Sequence, residues 1–161
     1  MLPRGPIEPE GTFDGLSGSA ILFGAFVDIA STMIALELLV LWLAPGVMAK
    51  DEAAAHKVLL ECYASMTYVV ASLALGALCT AFGAFAGARR AGQLHVRHGG
   101  WIAVASTAIG FLLTVLSPAS DPIDVPANPL WAQVLAWLLI LPAGMGGGAL
   151  AALLPRRTPR A

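Results

Sequence analysis

Charged residues are scarce in this sequence: Asp, Glu, Lys and Arg make up 12% of its 161 residues, whereas hydrophobic residues make up 58%. About a quarter of the residues in a soluble domain are charged, so this scarcity excludes an ordinary soluble domain and indicates a membrane protein. The formal net charge is −1, and without a basic excess we expect no nucleic-acid partner.

Cysteine and histidine are also rare, which limits the possible chemistry. Cys62 and Cys79 lie too far apart along one predicted helix to form a disulfide, no CxxC motif is present, and we interpret both as small apolar residues. His56, His95 and His98 all fall in predicted connections, which argues against paired haem ligands inside the spans. The sequence contains no nucleophile–base arrangement, metal cluster or phosphate-binding loop. We therefore expect no cofactor, no metal site and no enzymatic activity.

Long apolar segments are what the sequence does contain. A transmembrane helix needs about 20 consecutive apolar residues, and four segments meet this requirement. Their approximate limits are residues 17–44, 63–86, 99–116 and 130–154. The chain is thus predicted to be a single all-α domain, residues 1–161. In it, an integral membrane bundle of four transmembrane helices follows a mobile polar tail, residues 1–15.

The connection after the first span contains a helix start. Pro45 and Gly46 are expected to end the first span. Asp51 and Glu52 then precede a run of alanines, and acidic side chains stabilise the positive end of a helix. We therefore predict that the second helix begins in water near Asp51 and enters the lipid around Tyr63 without interruption.

Arginine and lysine are distributed unequally over the predicted connections. Four spans place both termini on one side, and seven arginines lie there: Arg4, Arg89, Arg90, Arg97, Arg156, Arg157 and Arg160. The other side holds Lys50 and Lys57. Basic residues concentrate in cytoplasmic connections, so both termini are predicted to be cytoplasmic, with residues 117–129 outside. Abundant Arg, Ala and Gly suggest a bacterial genome, so the expected location is the bacterial cytoplasmic (inner) membrane, with several passes.

The turn between the second and third spans is basic and glycine-flanked. We expect Arg89, Arg90, Arg97 and His98 to set the topology and to contact anionic headgroups. The wider segment has a pattern formed by eight residues: Gly83, Ala86, Gly87, Arg89, Arg90, Ala91, His98 and Gly99. It resembles the GxxAGxxA…HG turn that joins helices two and three in small uncharacterised four-helix membrane proteins of bacteria. The resemblance implies the same fold and topology only.

Small residues recur at intervals of four in three of the spans. They are two series in the second span (Ser72, Gly76 and Thr80, then Gly83 and Gly87), Ser106, Gly110 and Thr114 in the third, and Gly144 and Gly148 in the fourth. Faces of this kind allow helix backbones to approach closely in lipid. Two interpretations stay open: packing inside the monomer, or a surface for a partner chain.

Asp28 and Glu37 are the only charged residues inside the four spans. At ~1.5 Å per residue, Asp28 lies about 13 Å inward from Ser19, near the middle of the bilayer. Ser31 and Thr32 are one helical turn away and can donate hydrogen bonds to it. No basic residue in another span can neutralise Asp28, so we expect it to be protonated for part of the time. It is either a proton or cation site, or a protonated tie between helices.

Glu37 occupies a different position on the same helix. It lies nine residues after Asp28, and nine steps of about 100° put it on the opposite face. Glu37 is also nearer the outer surface, where its side chain is expected to reach the headgroups. The alternative is a contact with Lys57, His56 or a partner chain.

These features predict a non-catalytic polytopic membrane protein. It would be an accessory or structural subunit of a membrane complex, or a homo-oligomer, with the bilayer and other membrane subunits or itself as partners. The alternative is a small proton- or cation-coupled transporter that uses Asp28. Four helices with an acid in the first resemble the small multidrug-resistance transporters in outline. The longer chain, the strong charge bias and the missing inverted repeat argue against that alternative.

Overall fold

The computed structural model describes residues 13–116 and 127–154. These residues form five α-helices and one 3₁₀ turn: α1 (Gly18–Leu43), the 3₁₀ turn (Val47–Ala49), α2 (Glu52–Ala64), α3 (Met66–Ala91), α4 (His95–Leu116) and α5 (Leu130–Leu153). The described residues contain no strand. Helices α1, α3, α4 and α5 are long and apolar enough to cross a membrane. An all-helical, multi-pass architecture with four candidate membrane helices is therefore confirmed.

Several predicted features lie outside the described residues. They are the tail before Phe13 with Arg4, residues 117–126 of the outer loop, and Arg156, Arg157 and Arg160. Within the described part, α1 begins where Ser17 caps it, because Ser17 Oγ accepts the Ala20 N–H at 3.4 Å. It ends before Gly46, whose φ of 81° is a left-handed conformation that glycine adopts without strain.

The predicted continuous second helix is wrong, because the chain forms two helices that meet at Ser65. Helix α2 does begin beside Asp51, whose Oδ1 accepts the Ala54 N–H at 2.9 Å. At Ser65 the backbone turns extended. Its Oγ accepts the Tyr68 N–H at 3.1 Å and donates to Cys62 O at 2.7 Å. One serine thus caps the start of α3 and satisfies a carbonyl at the end of α2.

The ends of α3 and α4 also differ from the predicted limits of the spans. Helix α3 continues past residue 86 and holds Arg89 and Arg90 in its last turn, where cations interact favourably with the helix dipole. Helix α4 begins at His95 rather than at residue 99. The expectation that His95 and His98 lie in a connection is therefore wrong, since both belong to a candidate membrane helix.

Helix α3 lies at the centre of the bundle and packs against α1, α4 and α5, while α4 also packs against α1 and α5. Both described ends of the chain lie beside the α3–α4 turn. Gln93 Nε2 donates to Gly15 O at 3.2 Å, and Arg89 Nη1 donates to Leu154 O at 3.0 Å. We call this the basic end. The opposite end, which carries α2, is called the α2 end.

Glycines bring α1 and α3 into backbone contact in the half of the bundle near the basic end. A Cβ at Gly83 would lie 2.6 Å from Gly24 O, and one at Gly87 would lie 2.7 Å from Ala20 O. Real Cβ atoms do not approach backbone oxygens this closely, so only glycine permits this α1–α3 spacing. These two predicted packing positions therefore lie at a contact inside the monomer.

Helices α4 and α5 meet in the same way in the same half. A Cβ at Gly144 would lie 2.6 Å from Gly99 O, and one at Gly148 would overlap His95 O. Helix α5 also touches α3 closely, since a Cβ at Gly147 would overlap Ala81 O. Three pairs of helices are therefore held at glycine-limited distances, which makes this half of the bundle compact.

Gly76 and Gly110 do not form the packing contact inside the monomer that was one of the two interpretations of the small-residue pattern. No heavy atom that could meet an added side chain lies within 4 Å of the Cβ position at either residue. Both glycines line a cavity instead, as does the half-buried Ser72. The sequence pattern is the same as at Gly83, but no helix backbone faces Gly76 or Gly110 at close range.

Candidate functional site

Asp28 is directed into the bundle by the close approach of α1 and α3. It follows Gly24 by one helical turn, and its Cβ lies 2.6 Å from the position that a Cβ at Gly83 would take. The residue is 5% exposed. An acidic side chain in a membrane helix is costly, and its place in the bundle interior rather than in lipid reduces that cost.

Hydroxyl groups from two helices donate to the Asp28 carboxylate. Thr32 Oγ1 on α1 lies 3.4 Å from Asp28 Oδ1, and Thr80 Oγ1 on α3 lies 3.2 Å from the same atom. Ser106 on α4 is buried, faces the carboxylate, and donates to Ala103 O at 3.2 Å. Three helices therefore contribute hydroxyls to the surroundings of one acid.

The two partners expected from the sequence behave differently. Thr32 reaches the carboxylate as predicted, whereas Ser31 Oγ donates to the backbone carbonyl of Asp28 at 3.0 Å. Serine in a helix commonly bonds to the carbonyl of the preceding turn. Thr80 was predicted only as a packing residue, and its contact with Asp28 spans 52 positions of sequence. Its hydroxyl inside an apolar span was the signal that could have identified it.

An open cavity of about 450 Å³ extends from Asp28 to the α2 end. We call it the Asp28 cavity. Its polar residues near the carboxylate are Thr32, Thr80 and Ser106, and Asn128 lines it from the chain just before α5. Aliphatic side chains form much of the wall: Ile29, Leu36, Leu73, Leu139 and Ile140. Volumes of this size are typical of small-molecule sites.

The bundle is closed on the other side of Asp28. Ile102 on α4 is fully buried, and its side chain lies in the space that a Cβ at Gly24 or Gly87 would need. Together with the contact between Gly24 and Gly83, this side chain fills the centre of the compact half. The Asp28 cavity therefore extends toward the α2 end and is blocked toward the basic end.

Glu37 does not line the Asp28 cavity and is exposed. Burial and, secondarily, the negative charge of Glu37 raise the pKa of Tyr63 on α2, which places the two residues near each other. Lys57, one of the alternative partners expected for Glu37, instead lies 4.0 Å from Glu61. The two acids of α1 thus occupy separate environments, and only Asp28 belongs to the cavity.

His98 occupies a buried position that the expected headgroup contact does not allow. It is 0% exposed, its Nε2 accepts the Ser17 N–H at 2.9 Å, and its Nδ1 lies 3.1 Å from Leu94 O. A backbone N–H can only donate and a carbonyl can only accept. These partners therefore assign the neutral tautomer with hydrogen on Nδ1. Rather than a headgroup ligand, His98 is a tie between the start of α1 and α4.

The arginines of the basic end lie against the helices. Arg90 is stacked over Phe23 of α1, with 5.0 Å from guanidinium carbon to ring centroid. Arg89 lies 6.0 Å from the Phe85 ring and also donates a hydrogen bond to Leu154 O, directly after α5. Arg97 is half-buried in the first turn of α4. The basic end is thus cross-linked by cation–π and hydrogen-bond contacts.

Metal-ligand groupings are absent from residues 13–116 and 127–154: no three His, Cys, Asp or Glu side chains come together there. Cys62 and Cys79 are both free and buried.

No protein-family model, curated protein or solved structure matches this chain. A proposal for the function must therefore rest on the geometry of the structure. The feature with the most distinctive chemistry is the Asp28 cavity.

Proposed function

We propose that this chain is a multi-pass protein of the bacterial inner membrane that binds a proton or a small cation at Asp28. The observation that supports it is a buried carboxylate at the closed end of a cavity lined by hydroxyls and aliphatic side chains. An ionisable group inside a membrane is costly, and it is typically kept where ions or protons bind or pass. The role is binding and movement of a solute rather than catalysis.

The distribution of basic residues supports an outward-facing cavity. Among the described residues, Arg89, Arg90 and Arg97 lie at the basic end, whereas Lys50 and Lys57 lie at the α2 end. Together with the terminal arginines of the sequence, this bias favours cytoplasmic termini. The Asp28 cavity would then receive its solute from the outer side of the membrane.

The shape of the bundle favours transport over simple binding. A site that extends to one end of the bundle and is blocked toward the other resembles one of the two states required for alternating access. In this proposal Asp28 binds a proton or a cation from outside. The contact formed by Gly24, Gly83 and Ile102 would have to separate for release toward the cytoplasm.

Infrared difference spectroscopy on purified protein tests whether Asp28 takes up protons. Spectra recorded between mildly acidic and mildly alkaline buffer should contain a carboxyl band that disappears in Asp28→Asn. The same band should persist in Glu37→Gln, the matched control, because Glu37 is the other span acid and lies outside the cavity. Asp28 that stays protonated at every pH would indicate an interhelical tie and would contradict the proposal.

A second candidate function is that of an accessory or structural subunit, or a homo-oligomer. It is favoured by a shallow apolar groove of about 710 Å³ between α3 and α5. Its small residues are Ala74, Ala77, Ala81, Ala143, Gly146 and Ala149. Small-residue surfaces of this kind accept a neighbouring helix in lipid. Gly146→Leu should then lower oligomer mass or loosen a co-purifying subunit without changing the Asp28 infrared band.

A further inference from the structure

We propose that the cation taken by the Asp28 cavity is an organic primary ammonium, a protonated amine with a short apolar body. This assignment rests on the proposed function, because it names the class of cation that Asp28 binds. It is supported by three features of the cavity: the small number of oxygen ligands, the direction of the hydroxyl hydrogen bonds, and the aliphatic walls.

The closed end of the cavity has too few oxygen ligands for a bare metal ion. Hard cations such as Ca²⁺ and Mg²⁺ take six or more oxygen ligands. Asp28 supplies one carboxylate, and Thr32, Thr80 and Ser106 supply hydroxyls. No second acid joins them in the described residues, where no grouping of metal-ligating side chains occurs. A metal ion here would keep most of its water shell, which the aliphatic walls do not stabilise.

The hydrogen bonds match a donor with several N–H groups. The hydroxyls of Thr32 and Thr80 both donate to Oδ1 of Asp28, so neither of them occupies Oδ2. Each hydroxyl oxygen also keeps lone pairs that can accept. A primary ammonium has three N–H donors, and Oδ2 with the two threonine oxygens provides three acceptors. A charge-assisted contact of this kind is stronger than one between neutral groups.

The walls of the cavity fit an apolar body attached to that ammonium. Between Asp28 and the α2 end the lining includes Leu36, Leu73 and Leu139. The missing side chains of Gly76 and Gly110 keep this space open. A protonated alkylamine can therefore place its charge beside Asp28 and its chain along the aliphatic surface, where burial of apolar area stabilises it.

Calorimetric titration of the full-length protein in detergent with n-hexylammonium chloride tests this assignment. The comparison ligands are hexyltrimethylammonium, which has charge but no N–H donors, hexanol, which has no charge, and sodium chloride. Loss of a charged hydrogen bond costs ~1.5–3 kcal/mol. We therefore expect n-hexylammonium to bind roughly tenfold or more tightly than either hexyl analogue.

Three variants locate the binding. Asp28→Asn removes the charge, and Gly110→Leu fills the cavity without changing the carboxylate. Gly18→Leu is the matched control, because Gly18 is another glycine with open space around it that lies outside the cavity. The first two variants should lose n-hexylammonium binding and the control should retain it. Circular dichroism and elution volume establish that each variant is folded.

Each alternative outcome overturns the assignment in a distinguishable way. Equal binding of the trimethyl analogue would contradict the hydrogen-bond argument while leaving a cation site at Asp28. Sodium binding that depends on Asp28, without n-hexylammonium binding, would also overturn the organic ligand and leave the proposed function intact. Unchanged n-hexylammonium binding in Asp28→Asn would indicate an apolar cavity alone. A missing Asp28 infrared band would then refute the proposed function as well.

Discussion

Glycine has opposite structural roles in the two halves of this bundle. Toward the basic end, Gly83 and Gly144 face helix backbones, and their missing side chains let the helices touch. Toward the α2 end, Gly76 and Gly110 face no backbone, and their missing side chains leave the Asp28 cavity open. A glycine in a membrane helix is therefore a close contact or a space according to what lies across from it.

Asp28 sits at the boundary between these halves. Its backbone belongs to the compact region through the neighbouring contact with Gly83, and its carboxylate lines the open region. This position gives the acid a packed helix contact on one side and open space on the other.

The largest expected effect concerns which half faces outward. A cysteine placed at Ala127, an exposed residue at the α2 end, should react fully with an impermeant maleimide added to intact cells. A cysteine at Gln93, exposed at the basic end, should not react until the membrane is opened. The reverse labelling pattern would mean that the Asp28 cavity opens to the cytoplasm.

The next effect separates the two classes of glycine. Gly83→Leu should destabilise the protein by about 3 kcal/mol or more, because its side chain would collide with Gly24 O. Gly76→Leu should cost much less, because its side chain enters the cavity. Thermal unfolding in detergent measures both variants. Equal losses of thermal stability in the two variants would show that the two halves do not differ in this way.

Removal of the buried histidine tests the compact half by another route. His98→Leu leaves the Ser17 N–H without its acceptor, and an unsatisfied buried donor costs ~1–3 kcal/mol. His98→Gln supplies a side-chain oxygen and should lose less. The difference between the two variants in unfolding temperature checks this. If both unfold like the parent, the start of α1 is not tied by His98.

A smaller loss of stability is expected when the hydrogen-bond acceptor at Asp28 is removed. Asp28→Leu removes the acceptor of Thr32 and Thr80, and a hydrogen bond between membrane helices contributes ~0.6 kcal/mol, up to ~2. Asp28→Asn keeps an acceptor and should fold and assemble like the parent. Size-exclusion chromatography and thermal unfolding compare the variants. Failure of Asp28→Asn to fold or assemble would show that the charge itself stabilises the fold.

The smallest effect concerns a thiol at the α2 end. Burial raises the pKa of Cys62, so less of it is thiolate at any given pH. Its reaction with maleimide should therefore need more alkaline buffer than the reaction of a cysteine at Ala127. A series of labelling rates over pH measures the difference. Matching rate profiles would mean that α2 does not shield Cys62 from solvent.

Local features of this fold could be predicted from the sequence because they depend on short stretches of chain. The length of the apolar segments predicts four membrane helices, and Asp51 predicts the start of α2 through its capping carboxylate. The bond from Thr32 to Asp28 follows from a spacing of one helical turn. The break at Ser65 was missed because serine is also tolerated inside a helix and no glycine or proline accompanies it.

The sequence by itself therefore determined the number of candidate membrane helices, their apolar character and the presence of an acid within the first. Tertiary structure alone decided that Thr80 donates to Asp28, that Gly83 is a contact and Gly76 a space, and that His98 is buried. The physical reason is that helical periodicity defines the faces of each helix without defining the neighbour of each face. That neighbour is chosen by packing among segments that lie far apart in the chain.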